Sequence, residues 1–267
     1  MNPTAAPSLL IVVPTLNSHP LLPRLVRSLQ RQTWPHWRLL FIDGPSGPEH
    51  RRWLLQCCSA DSRCRWLEQD PAQPGIFGAM NQGFALAAPE DWLLFWGSDD
   101  WAADRQCLEE AIAAITAASR WPDLLVCQGR YADAASQALG RSTRFQPAGL
   151  LNTARYRRAL WLGSTPPHQA TLFGPGARHR RSVYAPGFRL SADLDYFLQF
   201  SRQSGLWVQC LDLELVHMAD GGVSGQQTQR RLEEVRRAYR RAYGRLWWYP
   251  FLARYLRRLL SLVPAFG

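Results

Sequence analysis

The sequence contains no lysine. All 31 of its basic side chains are arginine, set against 21 acidic ones for a formal charge of +10. Without an ammonium group the chain has no Schiff-base chemistry and no lysine-dependent phosphate loop. Gly-x-x-x-x-Gly-Lys and Gly-x-Gly-x-x-Gly are both missing, which removes the two commonest nucleotide-binding signatures. No apolar run approaches the ~20 residues needed to span a bilayer. The opening MNPTAAPSLLIVV lacks a basic segment and its apolar stretch stops at Pro14, so a secretory signal is not expected. The six cysteines (57, 58, 64, 107, 127 and 210) include no Cys-x-x-Cys pair and have no histidine cluster beside them. They read as reduced thiols rather than zinc ligands or disulfides, and point to a reducing compartment.

What is present is a globular composition, 46% hydrophobic and 19% charged over 267 residues, long enough for one large α/β domain or two small ones. The first hundred residues alternate between two patterns. Continuous apolar runs at 9–13, 39–42 and 92–96 predict buried strands, and 65–68 reads as a further short strand. Helical spacing over 21–32, 48–58 and 76–88 lies between them. Repeated strand–helix units imply a mostly parallel sheet with right-handed crossovers. Ligands in such sheets bind at the carboxyl ends of the strands. Those ends carry Pro14-Thr15-Leu16-Asn17, Asp43-Gly44 and Gly97-Ser98-Asp99-Asp100, which predicts one polar site along one edge. Further on, a helix is expected over 102–118, a strand over 124–127 and an irregular segment over 129–165. A short strand at 170–173, a helix at 193–203, strands at 207–211 and 213–218 and an Arg-rich helix from 229 complete the pattern.

The stretches VVPTLNS (12–18), SLQRQTW (28–34), FIDGPSG (41–47), GIFGAMNQGFALA (75–87), LLFWGSDDW (93–101), PHQATLF (167–173), SADLDYFLQF (191–200) and GGVS (221–224) together resemble the inverting family-2 glycosyltransferases of the GT-A fold. The likeness covers about residues 9 to 225 and is nearest to the bacterial branch that builds exopolysaccharide, capsule or lipopolysaccharide. It implies an α/β fold of GT-A type: a mostly parallel central sheet with flanking helices, in which a Rossmann-like nucleotide-binding half (about 8–128) is fused to an acceptor half (129–225). Residues 226–267 would follow as a C-terminal extension of amphipathic helices. The implied activity is transfer of a sugar, with inversion, from a UDP-, GDP- or dTDP-sugar to a hydroxyl of a glycan or lipid-linked glycan, assisted by Mg²⁺ or Mn²⁺.

The same resemblance assigns roles to individual residues, each beside a plainer reading. Asp43 matches the acid that holds the base or ribose, and a carboxylate accepts two donors there; Asp-Gly-Pro also suits a turn. Pro14, Thr15, Asn17 and Ser98 form the neighbouring wall or, alternatively, strand-to-helix turns. Gly75 and Asn81 fall where the donor sugar is contacted, although relatives often carry an acid where this chain has Gly78, and Asn81 reads equally as a buried amide satisfied by backbone. Asp99 is the expected metal ligand. The first acid of the family's Asp-x-Asp would fall at position 97, which is glycine here. Asp100 reads as a helix cap ahead of a ligand. His217 completes a metal shell or is structural, and Gly221 to Ser224 offers N–H groups to phosphate or simply turns.

Asp193 matches the catalytic base at a helix start, with Ser191 as its cap; otherwise it is a first-turn acid facing the helix dipole. His168, Gln169 and Asp195 are placed on the acceptor side, near Arg178, Arg180 and Arg181. The C-terminal arginines, with Trp247, Trp248, Tyr249, Phe251 and Tyr255, suit an interfacial helix on an anionic membrane. That reading puts the chain in the cytoplasm, peripheral on the inner face of the cytoplasmic membrane; a helix packed on the catalytic domain is the other. No nucleic-acid motif is present. The functional alternative is a non-catalytic, membrane-associated assembly protein on a degenerate transferase fold.

Overall fold

The computed structural model describes residues 7–133, 138–220 and 228–260. β1 (Ser8–Thr15), β2 (Trp37–Asp43), β3 (Cys64–Glu68) and β4 (Asp91–Phe95) run parallel in the order β3-β2-β1-β4. The short β9 (Thr171–Phe173) then enters antiparallel between β4 and β6 (Leu124–Ala132). β10 (Trp207–Ala219) pairs parallel with β6 and antiparallel with β5 (Asp100–Ala102), which closes the far edge. β7 (Leu139–Thr143) and β8 (Gly149–Asn152) pair with β6 and β10 and complete a ten-stranded mixed sheet.

Side-chain alternation along each central strand fills two separate cores. Leu10, Val12, Leu40, Ile42, Leu93, Phe95, Leu124 and Val126 point to one face. Leu9, Ile11, Val13, Leu39, Phe41, Trp92, Leu94, Leu125 and Cys127 point to the other. A strand buried on both faces must be apolar at every position, which is why these runs do not alternate with polar residues. The second face is covered by α1 (Leu22–Gln30), α2 (Pro48–Ala60) and α4 (Cys107–Ala117). The first is covered by α3 (Ile76–Leu86), α5 (Thr153–Trp161), α7 (Ala192–Phe200) and α8 (Thr228–Tyr243). α6 (Pro175–Arg180) and α9 (Trp248–Leu260) complete the helices among the described residues. None of them is long and apolar enough to cross a membrane.

The expected irregular segment 129–165 is more ordered than its composition suggests. β6 runs on to Ala132, and β7, β8 and α5 follow. Exposed strands such as β7 lack the apolar alternation that marks a buried one. The helix expected from 102 starts at Cys107 because Asp100–Ala102 pairs with β10 instead. The strands at 207–211 and 213–218 are one strand, bent by register shifts between Cys210 and Val216. All six cysteines are free.

Candidate active site

The parallel register places Thr15 opposite Asp43 at the carboxyl ends of β1 and β2. Asp43 is buried at 1% exposure. Its Oδ1 accepts hydrogen bonds from the Thr15 hydroxyl (2.9 Å) and the Ser46 hydroxyl (2.7 Å). His50 Nε2 stands 3.0 Å from the same oxygen but is not aligned to donate. Burial lowers the His50 pKa, and the Asp43 carboxylate offsets only part of that. Oδ2 of Asp43 is buried with Arg51 Nε 4.0 Å away and receives no hydrogen bond among the described residues. A buried carboxylate oxygen in that state is costly unless a ligand donor meets it.

Asn17 shapes this edge rather than lining it freely. It adopts a left-handed conformation (φ 50°). Its side-chain oxygen accepts from the Gly47 N–H at 2.7 Å, and its own N–H donates to Ser46 Oγ at 2.9 Å. The loops after β1 and β2 are therefore tied together through it. The loop after β4 joins them: Ser98 Oγ donates to the Pro14 carbonyl (3.1 Å) and accepts from Ser18 Oγ (2.8 Å).

Within that loop, Asp99 and Asp100 have opposite fates. Asp100 is buried, and its Oδ2 accepts from the Gly97 N–H at 2.5 Å. Burial, then the neighbouring Asp99 charge, pushes its pKa well up. It does not cap the following helix: Asp104 Oδ1 accepts from the Gln106 and Cys107 N–H groups and does that instead. The Asp99 side chain has no hydrogen bond or ion pair among the described residues. Its Oδ1 lies 2.8 Å from where a Cβ at position 97 would stand. The Asp99 carboxylate thus reaches toward the space that an acid at 97 would enter. Arg24 approaches both acids, its guanidinium 3.6 Å above the Trp101 ring.

His217 lies opposite Trp101 in the sheet, but its Nε2 is bonded to Glu214 Oε1 at 2.7 Å. Burial pushes the Glu214 carboxyl up, yet hydrogen bonds from His217 and Arg130 bring it net below its ordinary range. No group of three or more His, Cys, Asp or Glu side chains is set to hold a metal among the described residues. Among the described residues, Asp99 is the carboxylate of this loop without a protein partner, and it suits a cation held mainly by diphosphate oxygens. Gly221, Gly222, Val223 and Ser224 lie outside the described residues.

Gly75 opens α3 with φ 83°. Three residues on, a Cβ at Gly78 would lie 1.9 Å from the Gln73 carbonyl oxygen. The preceding loop occupies the place of any side chain there, so an acid at 78 is sterically incompatible with this loop path. Asn81 is committed as well. Its Nδ2 donates to the Tyr184 carbonyl (3.1 Å) and its Oδ1 accepts from the Tyr184 N–H (2.7 Å). This carboxamide joins the two halves of the domain, leaving one N–H and one oxygen lone pair for anything else.

On the opposite flank, Asp193 sits half-buried in the first turn of α7. Ser191 provides no cap for that helix. Glu234 of α8 supplies the anchor: its carboxylate accepts from the N–H groups of Arg189 (2.9 Å), Leu190 (2.8 Å) and Ser191 (2.9 Å). Asp193 lies near enough to His168 and Tyr184 to influence both electrostatically. His168 itself is buried against Phe95 and bonded to the Tyr184 hydroxyl at 2.6 Å. Burial lowers its pKa despite the Asp193 charge. The Gln169 carbonyl accepts from Trp96 Nε1 at 3.0 Å, so the segment carrying His168 and Gln169 abuts the end of β4. The same segment lies within electrostatic reach of Asp193.

Asp195, expected toward the acceptor, is fully buried and faces Arg241 (3.1 Å) and Arg181 (3.7 Å). Burial raises its pKa, and the two guanidiniums pull it back. The other arginines of that cluster are structural too. Arg178 donates to the carbonyls of Ala87, Ala88 and Asp91, and Arg180 to Asp123 and the Ser204 carbonyl. Glu234, Tyr184, His50 and Arg24 are the site residues that local patterns did not mark. Their partners come from distant stretches of chain.

The sheet order and the acids at its strand ends define a GT-A type glycosyltransferase. The sequence profile of Glycosyl transferase family 2 matches residues 10–175, and the chain belongs to that family. A PGL/p-HBAD biosynthesis glycosyltransferase of Mycobacterium tuberculosis is 30% identical over 194 residues, covering 72% of this chain and 69% of the relative. Among solved structures, Staphylococcus aureus TarS 1-349 in complex with UDP superimposes with a TM-score of 0.66 at 15% identity, over 95% of this chain and 72% of that one. The mannosyltransferase PcManGT from Pyrobaculum calidifontis, in complex with GDP-Man and Mn²⁺, gives 0.65 at 12% identity, over 100% and 77%. At those identities the two structures report a shared fold.

Proposed function

We propose that this glycosyltransferase transfers a sugar, with inversion, from a nucleoside-diphosphate sugar to a hydroxyl of a glycan or lipid-linked glycan. The observation that carries the reading is the buried Oδ2 of Asp43, which faces Arg51 at 4.0 Å but receives no hydrogen bond among the described residues, together with Asp193 close to the His168–Gln169 segment that abuts β4. Asp43 would accept N–H or O–H groups of the nucleotide. Asp193 would take the proton of the attacking hydroxyl as the bond from its oxygen to the anomeric carbon forms. The bond from that carbon to the diphosphate breaks at the same time, and its electron pair leaves on the diphosphate. Asp99 would hold Mg²⁺ or Mn²⁺, which when bound offsets charge on the leaving diphosphate.

The tail supports an acceptor held at a membrane. Trp248, Leu252 and Leu256 are exposed four residues apart on α9 and form one apolar stripe. With the arginines of α8 it suits an anionic bilayer surface, which would be the inner face of the cytoplasmic membrane.

A thermal-shift panel of UDP, GDP and dTDP with and without Mn²⁺ tests donor class and metal need together. One diphosphate should raise the melting temperature, and more so with Mn²⁺. Asp193→Asn should keep that shift and lose transfer by a factor of at least about 10². Full transfer by Asp193→Asn rejects the base assignment. No response to any nucleotide favours the alternative of a non-catalytic assembly protein, which the glycines at 78 and 97 motivate.

A further inference from the structure

A cavity of about 610 Å³ opens between β6, β10, α5 and α9. That size is typical of small-ligand sites. None of its lining residues belongs to the donor-side set or to the surroundings of Asp193. Its mouth carries Arg144, Arg155, Arg158 and Arg257. Its wall is apolar, with Val126, Phe145, Ala159 and Leu162. The single lining acid, Asp212, accepts from the Gln128 amide.

The four arginines lack acidic partners. The side chains of Arg144 and Arg158 make no hydrogen bond or ion pair among the described residues. Arg155 donates to the Leu150 carbonyl at 3.2 Å and Arg257 to Gln146 Oε1 at 2.7 Å, both neutral acceptors. Four guanidiniums around one concavity repel each other, and a bound anion would relieve that repulsion. Guanidinium forks match phosphate oxygens in geometry as well as charge.

The position of α9 suggests where that anion comes from. The helix is seated by close backbone contact: a Cβ at Gly163 would lie 2.4 Å from the Arg254 nitrogen. Arg254 also donates to the Thr165 hydroxyl. So seated, α9 carries Arg257 into the cavity and leaves Leu252 and Leu256 exposed at 57% and 59%. An anionic head in the cavity and an alkyl chain along that stripe fit the same element.

We infer that this cavity binds the phosphate of a phosphate-bearing headgroup. A membrane lipid and a soluble phosphate compound share that chemistry, and two arms separate them. The full chain is titrated with vesicles of phosphatidylcholine alone, or mixed with phosphatidic acid, and separately with inorganic pyrophosphate. The variants are Arg144→Gln/Arg158→Gln, which removes charge, and Leu162→Trp, which fills the cavity and keeps charge. Arg31→Gln/Arg52→Gln removes two exposed arginines elsewhere and serves as the control.

The expected result is binding to the phosphatidic acid vesicles that weakens about tenfold in both cavity variants and is unchanged in the control. Pyrophosphate binding that depends on the same residues, without vesicle binding, keeps the phosphate site and assigns it to a soluble ligand. The inference is overturned if both probes bind the cavity variants as they bind the original chain, or if the control loses as much. It is equally overturned if neither probe binds. Nucleotide-induced thermal shift is measured on every variant. It should stay constant, so failure of this site and failure of the transferase reading give different signatures.

Discussion

Position 78 shows how one residue carries an architectural choice. An aspartate there would need the space that the Gln73 carbonyl already fills, 1.9 Å from the Cβ position. Gly78→Asp should therefore destabilise the fold by about 1–3 kcal/mol, as overpacking does. An unchanged urea midpoint would show that the loop yields freely. The positions of Asp43 and Asp99 after strands and of Asp193 at a helix start were legible from local signals; the roles proposed for them came from the likeness to the family, not from those signals. That backbone would hold Asn81 was one of its two readings; which backbone does so, and the burial of Asp195 against Arg241, were not legible. Their partners lie 103 and 46 residues away, and no periodicity encodes such a distance.

The most consequential pairing among the elements is α7 with α8. The Glu234 carboxylate serves N–H groups on three successive residues just before the turn that carries Asp193. Glutamine keeps one acceptor oxygen, so Glu234→Gln leaves at least one of those donors unmet and loosens the start of α7. We expect kcat to fall about tenfold or more with the KM for the donor little changed, because small displacements of a reacting group are costly. Equal changes in both constants would argue for a general structural role. Most helices and the buried strands could be read from their spacing, but α5, inside a stretch read as irregular, and the short α6 could not. β5, β7 and β8 could not, because short or exposed strands are held by their neighbours rather than by their own pattern.

For the molecule as a whole, two buried histidines set an acid limit. Burial lowers the pKa of both His50 and His168 below the ordinary imidazole value of about 6.5. The unfolded chain then binds protons that the folded chain refuses, so stability falls as pH drops below about 6.5. Asp100, raised by burial, acts in the opposite sense: the folded state keeps its proton, and stability falls as pH rises. A single melting curve mixes these contributions. Comparing the original chain with His168→Gln isolates one of them. The variant should lose less of its melting temperature between about pH 7 and pH 5.5; identical losses would mean that His168 does not titrate differently on unfolding.

The anchor at Glu234 also bears on how a preparation of this protein is judged. Proteolytic clipping upstream of that residue removes the support of α7 while the strands that present Asp43 and Asp99 stay whole. Such a fragment should still recognise nucleotide yet turn nothing over. A silent assay with intact ligand recognition therefore points first to the mass of the purified polypeptide, and only then to its chemistry.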